Sequence, residues 1–225
     1  MEHTKRQPAH PGWRFVLLAV FLAVLISALV RAFLVDVYYI PSASMEPLLH
    51  TGDRVLVLRT DYLTSPVRRG DVVVFDGRGS FAPLHSGKGP LADGVQTLGE
   101  WLGLAGSDTV YVKRVLGVAG DHLRCCSADG RITVNGTPVT EPYLYPGDAP
   151  SELKFDVVVP QGRLWMMGDH RSVSADSRSL LGAPGGGLVS EDKVIGRAVQ
   201  LIWPLDRAAP VPRVSVPADQ QKDTR

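Results

Sequence analysis

The sequence predicts a turn-rich, mainly β domain preceded by one N-terminal transmembrane helix. Three observations carry this. Twenty-three glycines and seventeen prolines in 225 residues punctuate the chain too often for a helical bundle. Beyond residue 36, short apolar runs alternate with turn signals, the pattern of β-strands. Residues 15–35 read FVLLAVFLAVLISALVRAFLV, long enough at helical rise to cross a hydrocarbon core of roughly 30 Å. With 44% hydrophobic residues the chain can bury one good core. Its formal net charge of +1, without a long basic stripe, argues against a nucleic-acid partner.

The only charge within the apolar run is Arg31, near one end, where a long side chain can snorkel to the interface. Lys5, Arg6 and Arg14 precede the run against the single acid Glu2, and Asp36, Glu46 and Asp53 follow it. Positive-inside bias therefore places 1–14 in the cytoplasm and the domain from 36 to 206 outside the cell membrane. A cleavable signal peptide has a similar profile. The run is longer than a usual h-region, however, and lacks a convincing small-residue cleavage site, which favours an uncleaved anchor. The short stretch from Val35 to Ser44 reaches about 30 Å at full extension, which tethers Ser44 near the outer membrane surface.

Taken in order, Arg54–Leu58 after Thr51-Gly52-Asp53 and Asp71–Phe75 after Arg69-Gly70 are expected strands. The stretch 77–107, rich in Gly, Ser and Pro, reads as an insertion or long loop with a short helix at 97–104. Thr109–Leu116 is a further strand, in which period two sets Lys113 on the face of Tyr111 and Val115, with Arg114 on the other. Arg131–Val134, Asn135-Gly136 and Thr137–Val139 give a strong hairpin signal. Asp156–Val159 and Arg163–Met167 flank Pro160-Gln161-Gly162 and suggest another. Val194–Trp203 closes the domain before Pro204, and 207–225 reads as a polar disordered tail. Cys125 and Cys126 are adjacent, and a Cα separation of about 3.8 Å is shorter than a disulfide prefers. They are expected to be small buried residues without a disulfide, and with no histidine cluster nearby they make a poor metal site.

The chemistry begins at Pro41-Ser42-Ala43-Ser44-Met45-Glu46-Pro47. A serine hydroxyl needs a base to become a nucleophile, and none of the six histidines sits in a Ser/His/Asp context such as Gly-x-Ser-x-Gly. Lys113 remains, midway along an apolar strand. An exposed lysine is neutral at pH 7 only about once in 2,500, a cost of roughly 5 kcal/mol that burial would lower. Taken singly, Lys113 also reads as an edge-strand lysine facing water, and Ser44 as a turn residue. A third element is Met166-Met167-Gly168-Asp169-His170-Arg171-Ser172-Val173-Ser174-Ala175-Asp176-Ser177-Arg178, a polar loop directly after an apolar strand. Sites are built on such loops, although a salt-bridged surface turn held by Asp176 and Arg178 has the same composition.

With PSASMEP, RRGDVVVF, YVKRVLGVAGD and MMGDHRSVSADSR in this order behind one anchor, the chain resembles the bacterial type I signal peptidases. These are membrane-anchored serine endopeptidases that remove signal peptides from exported preproteins. The resemblance implies that Ser44 is the nucleophile and Lys113 the general base of a Ser/Lys dyad. Ser42 would supply its hydroxyl to an oxyanion hole together with the Ser44 N–H, and Met45 would pack beside the site, close to substrate. Ser174 would hydrogen-bond the Lys113 amine, while Asp169, Asp176 and Arg178 would hold the loop that presents it. The implied fold is a largely antiparallel β-sheet catalytic domain with a smaller accessory β region, placed at about 125–153. Also implied are cleavage after small residues in an Ala-x-Ala pattern, a shallow groove at the membrane surface, and chemistry without metal or cofactor. Exported preproteins would be the substrates, the lipid bilayer the support and the export machinery a candidate partner.

Lysine in the third motif matches the bacterial type, and the adjacent cysteines, the insertion and the single anchor look similar to actinobacterial members. The fourth motif departs from the common Gly-Asp-Asn-Arg-Asp-Asn-Ser, with His170, Ser172 and Val173 in the Asn, Asp and Asn positions. Two other readings stay open. Self-cleaving Ser/Lys proteases share this β fold but carry a DNA-binding helical domain where this chain has an apolar anchor. A membrane-anchored, non-catalytic β-domain that binds peptides or scaffolds partners would leave Ser44 and Lys113 as structural residues.

Overall fold

A computed structural model describes residues 12–81, 109–183 and 185–216, with side chains for all of these but 29–33. The helix expected at 97–104, most of the 77–107 insertion and the end of the expected tail lie outside the described residues.

The chain opens with α1 (Trp13–Phe33), whose described apolar side chains, among them Trp13, Phe15, Phe21 and Ile26, are exposed. Among the described residues, no helix is long and apolar enough to cross a membrane. The expected 15–35 boundary also moves. The helix ends at Phe33, and Val35 opens β1 (Val35–Tyr39), which pairs antiparallel with β2 (Arg54–Leu58) from Val35↔Leu58 to Tyr39↔Arg54. The alternation of Val35 and Val37 with Asp36 suits a half-buried strand, so the segment expected to finish the anchor and tether Ser44 is part of the sheet.

A short α2 (Asp61–Thr64) leads to β3 (Val72–Asp76) and β4 (Val110–Gly117). Next come β5 (His122–Cys125), β6 (Ile132–Val134), β7 (Thr137–Pro138) and β8 (Phe155–Val158), followed by β9 (Arg163–Met167), β10 (Val189–Ser190), β11 (Val194–Trp203) and β12 (Ala209–Pro210). The larger sheet runs β1-β2-β11-β3-β4-β9-β10, with β12 added on β11, and the smaller runs β7-β6-β5-β8. The ladders between described strands are antiparallel. The fold is therefore mainly β, as expected.

Period-two alternation divides the core. Val72 and Val74 of β3 join Val55, Val57, Ala198 and Leu201 in one cluster, while Val73 and Phe75 join Val115, Leu164 and Met166 in another. The opposite face of β9, Trp165 and Met167, packs with Leu123, Ile132, Val134 and Phe155 of the smaller sheet. At the junction of the sheets, Asp121 accepts from Arg69 Nε, the Val118 N–H and the Asn135 side chain at 2.5, 2.8 and 3.0 Å.

Three further expectations change. The Asn135-Gly136 hairpin forms, with φ of 52° and 82° at its two turn residues, the left-handed pair that such a turn requires. The hairpin expected around Pro160-Gln161-Gly162 does not form. β8 pairs with β5 and β9 with β4, because Phe155 serves the smaller-sheet core and β9 is needed by both cores, so this turn carries the chain from one sheet to the other. Cys125 and Cys126 form a disulfide, with Cα atoms 3.0 Å apart across a cis peptide. The expectation of none rested on trans spacing, and Cys126 is exposed rather than buried. Residues 207–216, expected in the disordered tail, are packed on the domain instead. β12 pairs with β11, Val211 and Val216 are buried, and Arg213 reaches Asp71 at 2.9 Å and Asp61 at 2.6 Å. This strap lies so close to Gly70, at φ 87°, that a Cβ there would collide with the Val214 carbonyl oxygen.

Candidate active site

Residues 40–53 fold into a compact turn because its apolar members are pulled inward. Ile40, Met45 and Leu49 are buried together with Val55 and Val72. Backbone bonds lock the turn: Ile40 N–H to Asp53 O, Gly52 N–H to Ile40 O, Glu46 N–H to Ala43 O and Leu49 N–H to Met45 O, between 2.9 and 3.0 Å. Met45, expected beside the site, is turned into this core at 1% exposure. Its neighbour Ser44 therefore has a fixed backbone, and its hydroxyl points at β4.

There Lys113, held in register between β3 and β4 opposite Val73, is 4% exposed. Its Nζ donates to Ser44 Oγ at 2.5 Å, and Ser42 Oγ lies 3.3 Å from Ser44 Oγ. Burial pulls the Lys113 amine down from 10.5 to about 8, against the opposing pull of the Asp176 and Asp169 carboxylates and with a smaller push from Arg178. These carboxylates do not offset the burial fully because each is engaged elsewhere. Arg114 Nε and Nη2 donate to Asp169 at 2.8 and 2.6 Å, and Arg178 Nε and Nη2 each donate to Asp176 at 2.8 Å.

The loop after β9 is braced along its length. Asp176 also accepts from the Gly168 N–H at 3.1 Å, and Arg178 donates to the Arg171 carbonyl at 2.9 Å. Arg171 donates to the Gly168 carbonyl at 2.9 Å and pairs with buried Glu141. The His170 N–H donates to the Ser44 carbonyl at 3.2 Å, joining this loop to the turn that carries Ser44. The expected hydrogen bond from Ser174 to Lys113 is not formed. Ser174 Oγ is buried without a partner, because the lysine amine is directed at Ser44.

The structure thus brings together Ser42, Ser44, Lys113, Asp169, Asp176 and Arg178, with Ser174 alongside. Sequence reasoning missed Gly168, Arg114 and Ser177. A Cβ at Gly168 would collide with both Ser174 Oγ and the Ser44 carbonyl oxygen, so this position needs glycine for close approach. Arg114 carries a Tyr143 ring 4.0 Å below its guanidinium, a cation–π contact that adds to its grip on Asp169. Ser177 accepts from the Met166 N–H and donates to the Gly187 carbonyl at 2.8 and 2.7 Å, closing the loop onto β9. For Arg114 its place next to Lys113 was a signal; nothing local marked Gly168 or Ser177. A cavity of about 310 Å³ lies against this loop, with Ser174, Asp176, Arg178, Ala149 and Leu153 in its walls. Among the described residues no group of three or more His, Cys, Asp or Glu side chains could hold a metal ion.

A buried lysine amine in contact with a serine hydroxyl on a rigid turn is a serine-nucleophile arrangement with an amine in place of histidine. The profile of "Signal peptidase, peptidase S26" matches residues 13–203. A probable signal peptidase I of Mycobacterium leprae is 37% identical, over 87% of this chain and 77% of that one. Signal peptidase I of Mycobacterium tuberculosis is 36% identical, over 86% and 73%, and signal peptidase I of Bacillus licheniformis is 31% identical, over 84% and 87%. With a match that runs from the first helix to the end of β11, this chain belongs to the signal peptidase family, peptidase S26, and is a serine endopeptidase.

Proposed function

We propose that this endopeptidase removes N-terminal signal peptides from exported preproteins, cutting after the small residues of an Ala-x-Ala pattern through a Ser44/Lys113 dyad. The observation that carries this reading is the 2.5 Å contact between Lys113 Nζ and Ser44 Oγ inside a buried site. Free amine is available near neutral pH because burial has already brought the lysine down to about 8.

In the proposed sequence, Lys113 takes the Ser44 hydroxyl proton as Oγ attacks the scissile carbonyl. The oxyanion is held by the Ser42 hydroxyl and the Ser44 N–H. The Lys113 ammonium then gives its proton to the leaving amine of the mature chain, and the signal peptide stays as an ester on Ser44. Water deprotonated by Lys113 attacks the ester and frees the peptide, returning the proton to Ser44. The unpartnered Ser174 hydroxyl is the acceptor that orients the ammonium between these steps. Asp169, Asp176 and Arg178 hold the loop, and Met45, packed in the core with Ile40 and Leu49, fixes the turn that carries Ser44. No metal or cofactor enters these steps.

We further propose that α1 anchors the chain in the cell membrane, with the N-terminus cytoplasmic and the β domain outside. The exposed apolar side chains of α1 and the basic residues before it support this. Preproteins would then be met at the bilayer surface, next to the export machinery.

The test is cleavage of a preprotein with an Ala-x-Ala site, in detergent or lipid, by wild type, Ser44→Ala and Lys113→Ala, with products identified by N-terminal sequencing. Wild type cuts at that site, and both variants are folded and inert. Variants that cut as well as wild type would remove the dyad.

A further inference from the structure

His170 occupies a special place between two flanking residues that are committed elsewhere. Asp169 is bound to Arg114 and Arg171 to Glu141, and both pairs are buried. Between them, His170 donates its N–H to the Ser44 carbonyl at 3.2 Å. Its ring lies flat on Tyr145, with centroids 3.8 Å apart and planes within 8° of parallel. The backbone of Tyr145 is fixed to the same loop, its N–H donating to the Asp169 carbonyl at 3.1 Å. Across the turn, His170 Nδ1 faces Glu46 Oε2 at 3.9 Å, too far for a hydrogen bond, and has no other partner.

His170 thus joins the two segments: its ring is stacked on Tyr145 and its main chain is bound to the Ser44 carbonyl. Because Ser44 Oγ sits 2.5 Å from Lys113 Nζ, a small displacement of the Ser44 backbone opens the contact on which proton transfer depends, and misplacements of about 1 Å cost reactions on the order of 10²-fold.

Resting on the reading of Ser44 as nucleophile, we infer that His170 is a positioning residue: its ring, seated on Tyr145, holds its amide under the Ser44 carbonyl and keeps the serine in reach of Lys113. Tyr145 is the partner surface, and the planar ring of residue 170 is what matters, rather than a proton transfer by imidazole.

The test uses the full chain in detergent with a preprotein substrate, comparing His170→Ala, His170→Phe, Tyr145→Ala, Tyr145→Phe and the double alanine variant. The expected result is a kcat lowered about 10-fold in each single alanine variant with KM within about two-fold, and a double variant no worse than either single. His170→Phe and Tyr145→Phe, which keep a flat ring, retain near wild-type kcat. In hydrogen exchange followed by mass spectrometry, the segment containing the His170 amide exchanges faster in the alanine variants and unchanged in the phenylalanine variants. Alanine variants with wild-type kcat, losses that multiply in the double variant, or phenylalanine variants as impaired as alanine would each overturn the inference. If His170→Ala does not fold, the Tyr145 pair decides alone. If wild type itself does not cleave and Ser44→Ala behaves identically, the proteolytic reading fails, and hydrogen exchange still reports on the placement of the amide.

Discussion

Replacing Lys113 by methionine, a side chain of similar length without charge, is expected to abolish cleavage and stabilise the fold. Lys113 releases its proton at about 8 when buried, against 10.5 when exposed. At about 1.4 kcal/mol for each factor of ten, burial of this amine costs about 3 kcal/mol below pH 8. Between 8 and 10.5 the unfolded chain binds a proton that the folded chain has shed, so stability rises with pH across this window and the cost fades. Methionine removes the cost at pH 7 and forfeits the hydrogen bond to Ser44 Oγ, about 1 kcal/mol net, while Ser42 Oγ remains 3.3 Å from that hydroxyl. The net gain is about 2 kcal/mol at pH 7, or roughly 4–8 °C in Tm for a domain of this size. Equilibrium denaturation in detergent, followed by the fluorescence of fully buried Trp165 and repeated at pH 7 and pH 10.5, measures it. A variant no more stable than wild type at pH 7, or a gain that persists undiminished at pH 10.5, would falsify burial as the source of the lysine's altered acidity.

Four other outcomes follow from the geometry. The kcat/KM of wild type rises with pH through about 8, as Lys113 loses its proton, and a profile flat from pH 6 to 9 counts against an amine base. Gly168→Ala places a methyl group against Ser174 Oγ and the Ser44 carbonyl, and cleavage assays are expected to show a loss of about 100-fold or more with far-UV circular dichroism unchanged. Gly70→Ala, at φ 87° and against the Val214 carbonyl, forces the 209–216 strap off the sheet; unfolding experiments should show a loss of about 3 kcal/mol or more. Although burial opposes ionisation of Asp121, Arg69, the Val118 N–H and Asn135 hold its carboxyl below the ordinary 3.8. Its contribution is present above that value and lost as pH falls through the folded one. Asp121→Ala is therefore expected to lower stability at pH 7 by about 2 kcal/mol and to flatten the acid limb of the stability curve.

Strands were legible where a local pattern decides them. Arg54–Leu58 and Val194–Trp203 emerge with the expected bounds because apolar alternation and flanking Gly or Pro mark them. Pairing was less legible, since which strand Phe155 or Arg163 joins depends on cores assembled from residues far apart in the chain. The same limit hid β1, whose Val-Asp-Val-Tyr-Tyr pattern follows an apolar helix directly, and the strap at 209–216, which is ordered by two buried valines and by Arg213. The disulfide escaped because the argument from Cα spacing assumed a trans peptide. At the site, residue identities carried the resemblance, whereas the orphaned Ser174 hydroxyl, the inward turn of Met45 and the stacking of His170 on Tyr145 are consequences of packing that no spacing encodes.

Under the proposed dyad, the charges around Lys113 explain how a lysine could act as the base. Two carboxylates near a buried amine would ordinarily keep it an ammonium, since an opposite charge within reach favours the charged form. In this fold Asp169 and Asp176 are each paired with a guanidinium, from Arg114 and Arg178, and their remaining pull on the amine is outweighed by desolvation. The same pairs fix the loop, through the bonds of Asp176 to the Gly168 N–H and of Arg178 to the Arg171 carbonyl. Removing one arginine would thus do two things at once: loosen the loop and leave a carboxylate free to hold the proton on Lys113. For Arg178→Met the second effect should appear as a rise of the kcat/KM midpoint above pH 8, separable from the first because added base partly restores the rate. A loss of activity that is the same at every pH would show that the arginine acts through loop shape alone.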